Sequence, residues 1–211
     1  MFKLPNFPSP QAESHEIADF AELLSWNYGS ASQREIAAYL GRVDDNENNF
    51  GCDDDEDIAY QFLDEVMNEI DRRQAACSGG YPFLLDHEGT VLRYDIFTTD
   101  QRSILYLYLL LSTRLNMLEN RNHAGLDGAN LLEEVCACAL KSYIGGIRAR
   151  SFSFGTSVRG TFQDKVDALC RELREGCGFR SLDDARIQAK DDKLDVVTWV
   201  PFTDALPGQI I

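Results

Sequence analysis

Hydrophobic residues recur at helical spacing through most of this chain and alternate at strand spacing in a few short runs. Ile17, Phe20, Leu23 and Leu24 fit one face of a helix starting near His15, with Ser14 as a candidate cap. Ser32 and Glu35 have capping-box spacing ahead of Ile36, Ala37 and Leu40, which predicts a second helix. Ile58, Phe62, Val66 and Ile70 mark a third from about Glu56 to Ala76, ended by Ser78-Gly79-Gly80. Tyr81–Leu85 and Thr90–Tyr94 flank Asp86-His87-Glu88-Gly89, the signature of a hairpin. A helix over about Thr99–Asn120, capped by Thr98 with Gln101, is apolar all round at its centre and is expected to be buried.

Beyond the polar loop 120–128, which holds His123, Leu131, Leu132, Val135, Cys136, Ala139, Leu140 and Tyr143 predict an amphipathic helix over about Ala129–Tyr143, stopped by Gly145-Gly146. Residues 147–160 are basic, serine-rich and aromatic. Thr161 opens a helix over about Phe162–Glu175 with the stripe Phe162, Val166, Leu169, Cys170 and Leu173. Leu194–Val200 is β-branched and aromatic and predicts a strand, followed by a turn over Thr203–Gly208 and the opening of a second, antiparallel strand at Gln209. The pattern gives an α/β (α+β) chain with an acidic helical region over 1–78, a β-hairpin over 79–97 and a third region over 98–211.

Composition refines this picture. Of the 211 residues, 44% are apolar and 26% charged, ordinary for a chain that buries a core. The longest apolar run, Ile104–Leu111, is far shorter than the roughly 20 residues a membrane span needs, and the first residues lack a signal-peptide pattern; the expected compartment is the cytoplasm, with no membrane partner. Cys52, Cys77, Cys136, Cys138, Cys170 and Cys177 are accordingly read as reduced thiols, and the spacing of Cys136 and Cys138 on a helix does not suit zinc. The net charge of −15 is unevenly spread: residues 1–60 carry thirteen acids against three bases, residues 141–190 six acids against ten. The acidic run Asp44–Asp57 lacks EF-hand spacing and reads as a solvated loop.

Two sets of residues could carry chemistry. Asp195 interrupts the apolar string LDVVTWV, and a carboxylate in a strand needs solvent, a cationic partner or a metal. Glu133 lies roughly 105° from the centre of the apolar stripe on its helix, at a boundary from which it can reach a neighbouring element, or else it caps its helix with Asn130. Glu134, at roughly 155°, faces solvent. The second set is basic: Arg148, Arg150, Arg159, Lys165, Arg171, Arg174, Arg180 and Arg186, with Lys193 beyond them, could contact phosphates or form an ordinary charged face. His15, His87 and His123 fall in caps or loops with no nucleophile beside them.

The pieces LLEEVCACALKSYIGG, FQDKVDALCRELREG, KDDKLDVVTWVPF and LPGQII, spanning Leu131 to Ile211, resemble the N-terminal half of the PD-(D/E)XK nuclease core, in particular restriction-endonuclease-like proteins of bacterial defence systems. The resemblance implies a partial nuclease-like core of helices and a short mixed sheet within 98–211. It matches Glu133 to the family's helix acid and Asp195 to its strand aspartate, both catalytic and both metal ligands. Lys193 stands where many members have glycine, and the Glu/Gln-x-Lys string of the second strand does not occur before Ile211.

The implied function is metal-dependent cleavage of double-stranded DNA in a restriction or anti-phage system, with Mg²⁺ or Mn²⁺ as cofactor and the chain as an N-terminal fragment without the lysine-bearing strand. Arg148, Arg150, Arg159 and Lys193 are the candidate DNA contacts. The alternative is a non-catalytic interaction or scaffold subunit of a defence complex, with the acidic helical region binding partner subunits. A third reading takes the acids of 44–57 as a DNA mimic.

Overall fold

The computed structural model describes residues 2, 4, 8–9, 12–40, 53–97, 99–113, 120–155, 160–176, 178, 194–202 and 207–210, with the backbone alone at 53–60 and 207–210. Six α-helices and eight short strands are present among them, and the chain is a mixed α+β protein. Its contacts fall into two units, Met1–Gly128 and Ala129–Ile211. The division lies at Gly128, later than the boundary at 97/98 expected from the sequence, because the hairpin and the helix after it pack with the N-terminal helices.

The first unit opens with α1 (Ser14–Tyr28), whose cap position is held by Glu13 without a side-chain bond, so Ser14 is helical and caps nothing. Gly29 at φ 90° turns the chain into β1 (Ser30–Ser32). Ser32 then closes the expected capping box with Glu35 at the start of α2 (Gln33–Tyr39). Next come α3 (Asp53–Ala76), the strands β2 (Phe83–Leu85) and β3 (Val91–Tyr94), α4 (Gln101–Ser112), and the two-residue strands β4 (Asn122–His123) and β5 (Leu126–Asp127). The hairpin β2–β3 forms as the sequence predicts, and β1 adds to its other side, giving the antiparallel order β1-β3-β2.

The core of this unit joins α1, α2, α3 and the sheet through Ile17, Phe20, Leu24, Ile36, Leu63, Val66, Ile70, Phe83 and Leu92. The helix expected to be central and buried is partly exposed. α4 is capped by Asp100, packs Tyr106, Leu107 and Leu110 against the core, and leaves Ile104 55% exposed.

The second unit contains α5 (Gly128–Ile144), a 3₁₀ turn (Gly146–Arg148), β6 (Arg150–Ser153), α6 (Phe162–Leu173), β7 (Val196–Pro201) and β8 (Pro207–Ile210). Its sheet has the order β6-β7-β8 and is antiparallel throughout, not mixed. Thr161 and Asp164 form a capping box that starts α6. One face of the sheet, with Phe152, Phe154, Val197 and Trp199, packs on Phe162, Val166, Leu169 and Leu173 of α6. The opposite face carries Val200, which lies against Gly145 just past the end of α5. Of the acidic run expected to be a solvated loop, residues 53–57 are instead the first turns of α3, while its earlier acids, Cys52, Cys177, Arg159, Arg180, Arg186 and Lys193 lie outside the described residues.

Candidate functional site

The β6–β7 register pairs Ser153 with Val196, and the Phe154 amide continues the ladder by donating to the Asp195 carbonyl at 2.7 Å. Asp195 therefore sits at one end of the sheet, exposed, at the point where β7 begins. Glu133, half-buried on α5, reaches the same end: its carboxylate lies against Gly155, in the space a Cβ at that position would fill. Only glycine lets the chain pass this close to the carboxylate. The two acids thus converge on one sheet end, but from different sides. Pleat alternation puts Asp195 on the face of Phe154 and Val197, toward α6, whereas Glu133 occupies the side to which Gly155 turns.

A third charged group closes this corner. Lys165 of α6 donates from Nζ to the carbonyl oxygens of Phe154 and Gly155, each at 2.6 Å. Charge-assisted bonds to two successive carbonyls fix the segment that meets both acids. The sequence places Lys165 among the basic residues and does not foretell this bond, because its partner carbonyls lie 11 and 10 residues away across an irregular segment. Among the described residues no group of three or more His, Cys, Asp or Glu side chains is arranged to hold a metal ion. Cys136 and Cys138 are both exposed and unbridged on α5.

Of the candidate DNA contacts, Arg148 ends the 3₁₀ turn and is exposed. Arg150 begins β6, 57% exposed at its side chain and 3.8 Å from Glu172. Arg150, Arg171 and Arg174 line one surface cleft of about 470 Å³ between β6 and α6, with Phe152, Ala168 and Glu172 completing it.

The most strongly perturbed groups lie in the first unit, where the sequence pointed to no site. Glu22 is fully buried on α1; one carboxylate oxygen accepts from Tyr81 at 2.6 Å, Tyr106 at 2.9 Å and Arg73 at 2.9 Å. Arg73 also donates to Asp19 at 2.8 Å, to Glu69 at 2.9 Å and to the His15 carbonyl at 3.0 Å. Burial pushes the Glu22 carboxyl above its ordinary range, against the pull of Arg73 and Tyr81. Burial alone would lower the Arg73 guanidinium, but Glu22, Tyr106 and Asp19 hold it above its ordinary value. Hydrogen bonds from Arg72, then Arg73, hold Glu69 down at about 2. Perturbed groups often mark active sites, but structural ion networks produce the same shifts. Here Tyr81, Tyr106 and Arg73 all donate to Glu22, and the cluster ties α1 to α3, the segment before β2, and α4.

No family model matches this chain, and comparison with curated proteins and with solved structures gives no match either.

Proposed function

We propose that the second unit is a DNA phosphodiesterase core of the restriction or anti-phage type, dependent on Mg²⁺ or Mn²⁺, with Asp195 and Glu133 as its acidic ligands. The observation that supports this reading is the convergence of both acids on one end of a helix-flanked antiparallel sheet: α5 supplies Glu133 and the start of β7 supplies Asp195. That order of elements agrees with the resemblance to PD-(D/E)XK nucleases. Carboxylate oxygens suit a hard cation, which takes the rest of its octahedron from water and substrate phosphate. When bound, the cation would polarise a phosphoryl oxygen and lower the pKa of a coordinated water. The protein's own part is to hold the acids: Gly155 admits Glu133, and Lys165 pins the Phe154–Gly155 segment beside Asp195. No helix among the described residues is long and apolar enough to cross a membrane.

The test is Mn²⁺ titration of the full chain followed by electron paramagnetic resonance, beside plasmid nicking. Asp195→Asn and Glu133→Gln should each weaken Mn²⁺ binding by about 10-fold or more, the scale of loss seen when a metal site loses support. Mn²⁺ binding unchanged in both variants refutes the site.

The approach of Glu133 and Asp195 from different sides of the sheet favours a second reading, a non-catalytic interaction or scaffold subunit of a defence complex. Co-elution with the products of neighbouring genes on size exclusion, with no metal binding by the isolated chain, supports that reading; no co-elution counts against it.

A further inference from the structure

Arg150, Arg171 and Arg174 come from two elements that the chain separates, yet they surround one cleft. Arg150 starts β6, and Arg171 and Arg174 stand at the end of α6. The cleft contains three guanidinium groups and one carboxylate, Glu172, in a chain whose net charge is −15. Within this cleft positive charge exceeds negative, which favours an anion, while Arg171 and Arg174 also border a second cleft beside Asp167 and Glu175. Planar guanidinium groups with forked donors suit phosphate oxygens better than any other cationic side chain.

Two further observations give the cleft a direction and a use. α6 runs opposite to β6: Lys165 near its start meets Phe154 and Gly155, while Arg171 and Arg174 near its end meet Arg150 and Phe152. The arginines therefore lie at one end of the β6–α6 groove and Asp195 at the other. Arg150 and Phe154 are four residues apart, about 13 Å at the rise of an extended strand. That is roughly four base-pair steps of rise along the axis of a duplex.

Arg174 also ends α6 in the left-handed conformation, φ 57° and ψ 31°. Glycine is the usual residue there because a Cβ costs about 1 kcal/mol or more. An arginine held at that position keeps its guanidinium over the cleft at the expense of the helix end.

We infer that the groove between β6 and α6 is a track for a nucleic-acid backbone, with Arg150, Arg171 and Arg174 clamping phosphates on one side of the Asp195 corner. The inference rests on the phosphodiesterase reading for its purpose, but the binding itself needs no metal. Its test is fluorescence anisotropy of a labelled DNA strand of about 20 nucleotides, single and duplex, with the full chain at low salt in EDTA. Arg150→Ala, Arg171→Ala and Arg174→Ala should each weaken binding about 5-fold and reduce the logarithmic salt slope by about 1. The triple variant should lose binding, and Arg102→Ala, an exposed arginine of the first unit, should not change it.

Arg174→Gly gives a readout that a capping role would not: a higher Tm together with weaker DNA binding. Wild-type affinity in the triple variant, no binding of either probe at low salt, or equal binding of a poly-glutamate peptide overturns the track. Loss of Mn²⁺ binding in Asp195→Asn, with anisotropy intact and dependent on the three arginines, supports both the metal site and the track. Unchanged Mn²⁺ binding with arginine-dependent anisotropy refutes the metal site alone, and the converse refutes the track alone.

Discussion

Replacing Arg73 with methionine keeps most of the side chain's length and removes its charge, which isolates the electrostatic role of the buried network. Arg73 is the cation facing Asp19 and Glu22 at 2.8 and 2.9 Å, and Glu22 has no exposed surface. Breaking a buried pair from one side costs about 3–5 kcal/mol, because the remaining charge is stranded. At about 3–5 °C per kcal/mol for a unit of this size, Tm should fall by about 9–25 °C.

The loss has a pH signature. The Glu22 carboxyl already sits above its ordinary value of 4.5 in the folded state, and losing Arg73 raises it further. A raised carboxyl favours folding below the unfolded value, and that contribution is lost as pH rises through the folded one. The deficit of Arg73→Met should therefore be greatest at neutral pH and shrink toward pH 4.5. Urea titrations followed by circular dichroism across that range measure it. Glu22→Gln in the Arg73→Met background should recover part of the stability, since a neutral amide needs no counter-ion. A deficit no larger than that of Arg72→Met, whose side chain is 68% exposed, or one independent of pH, refutes the reasoning.

Gly155→Ala should destabilise the second unit by about 1–3 kcal/mol, by forcing the Glu133 carboxylate out of the space it fills; thermal melts of that unit read the effect. Ser32→Ala removes one half of a formed capping box and should cost about 1 kcal/mol, seen as a lower urea midpoint. Because Glu69 is held at about 2 and Asp86, Asp100 and Asp164 are also lowered by their hydrogen bonds, stability should fall as pH drops from 4.5 toward 2; a flat acid limb in urea midpoints contradicts this. Trp199→Ala should cost about 3–5 kcal/mol, since Trp199 is 2% exposed in the small core of the second unit, and near-ultraviolet dichroism will report it.

The helices were legible wherever a stripe and a cap agreed, as at Ser32–Glu35 and at Thr161. Four strands were not; β4 and β5, two residues each, lie in the segment expected to be a polar loop. β1 is Ser30-Ala31-Ser32, three small residues with no alternation to read, and exists because β3 offers an edge. β6 carries a period of two, Phe152 and Phe154 between serines, but over too few residues to mark a strand beside the flanking arginines. α4 looked buried because composition reports apolarity, whereas burial depends on what the rest of the chain can cover. Asp195 stood out as a charge in an apolar string, and Glu133 as an acid at the boundary of its helix's apolar stripe. The sides from which they arrive depend on the β6–β7 register, which no local spacing encodes. The Glu22–Arg73 network was illegible for a related reason: its partners are 51 residues apart.

The buried apolar side chains are divided very unequally. Among the described residues, the first unit's cluster has sixteen buried members and the second unit's has four. The smaller the core a unit buries, the nearer it sits to its melting threshold and the more visibly a bound ligand moves the balance. The chain should therefore melt in two steps. The lower step then acts as a built-in reporter: a calorimetric screen of cations and oligonucleotides would register an occupant of the second unit as a rise in that step alone, with the sturdier unit as an internal standard.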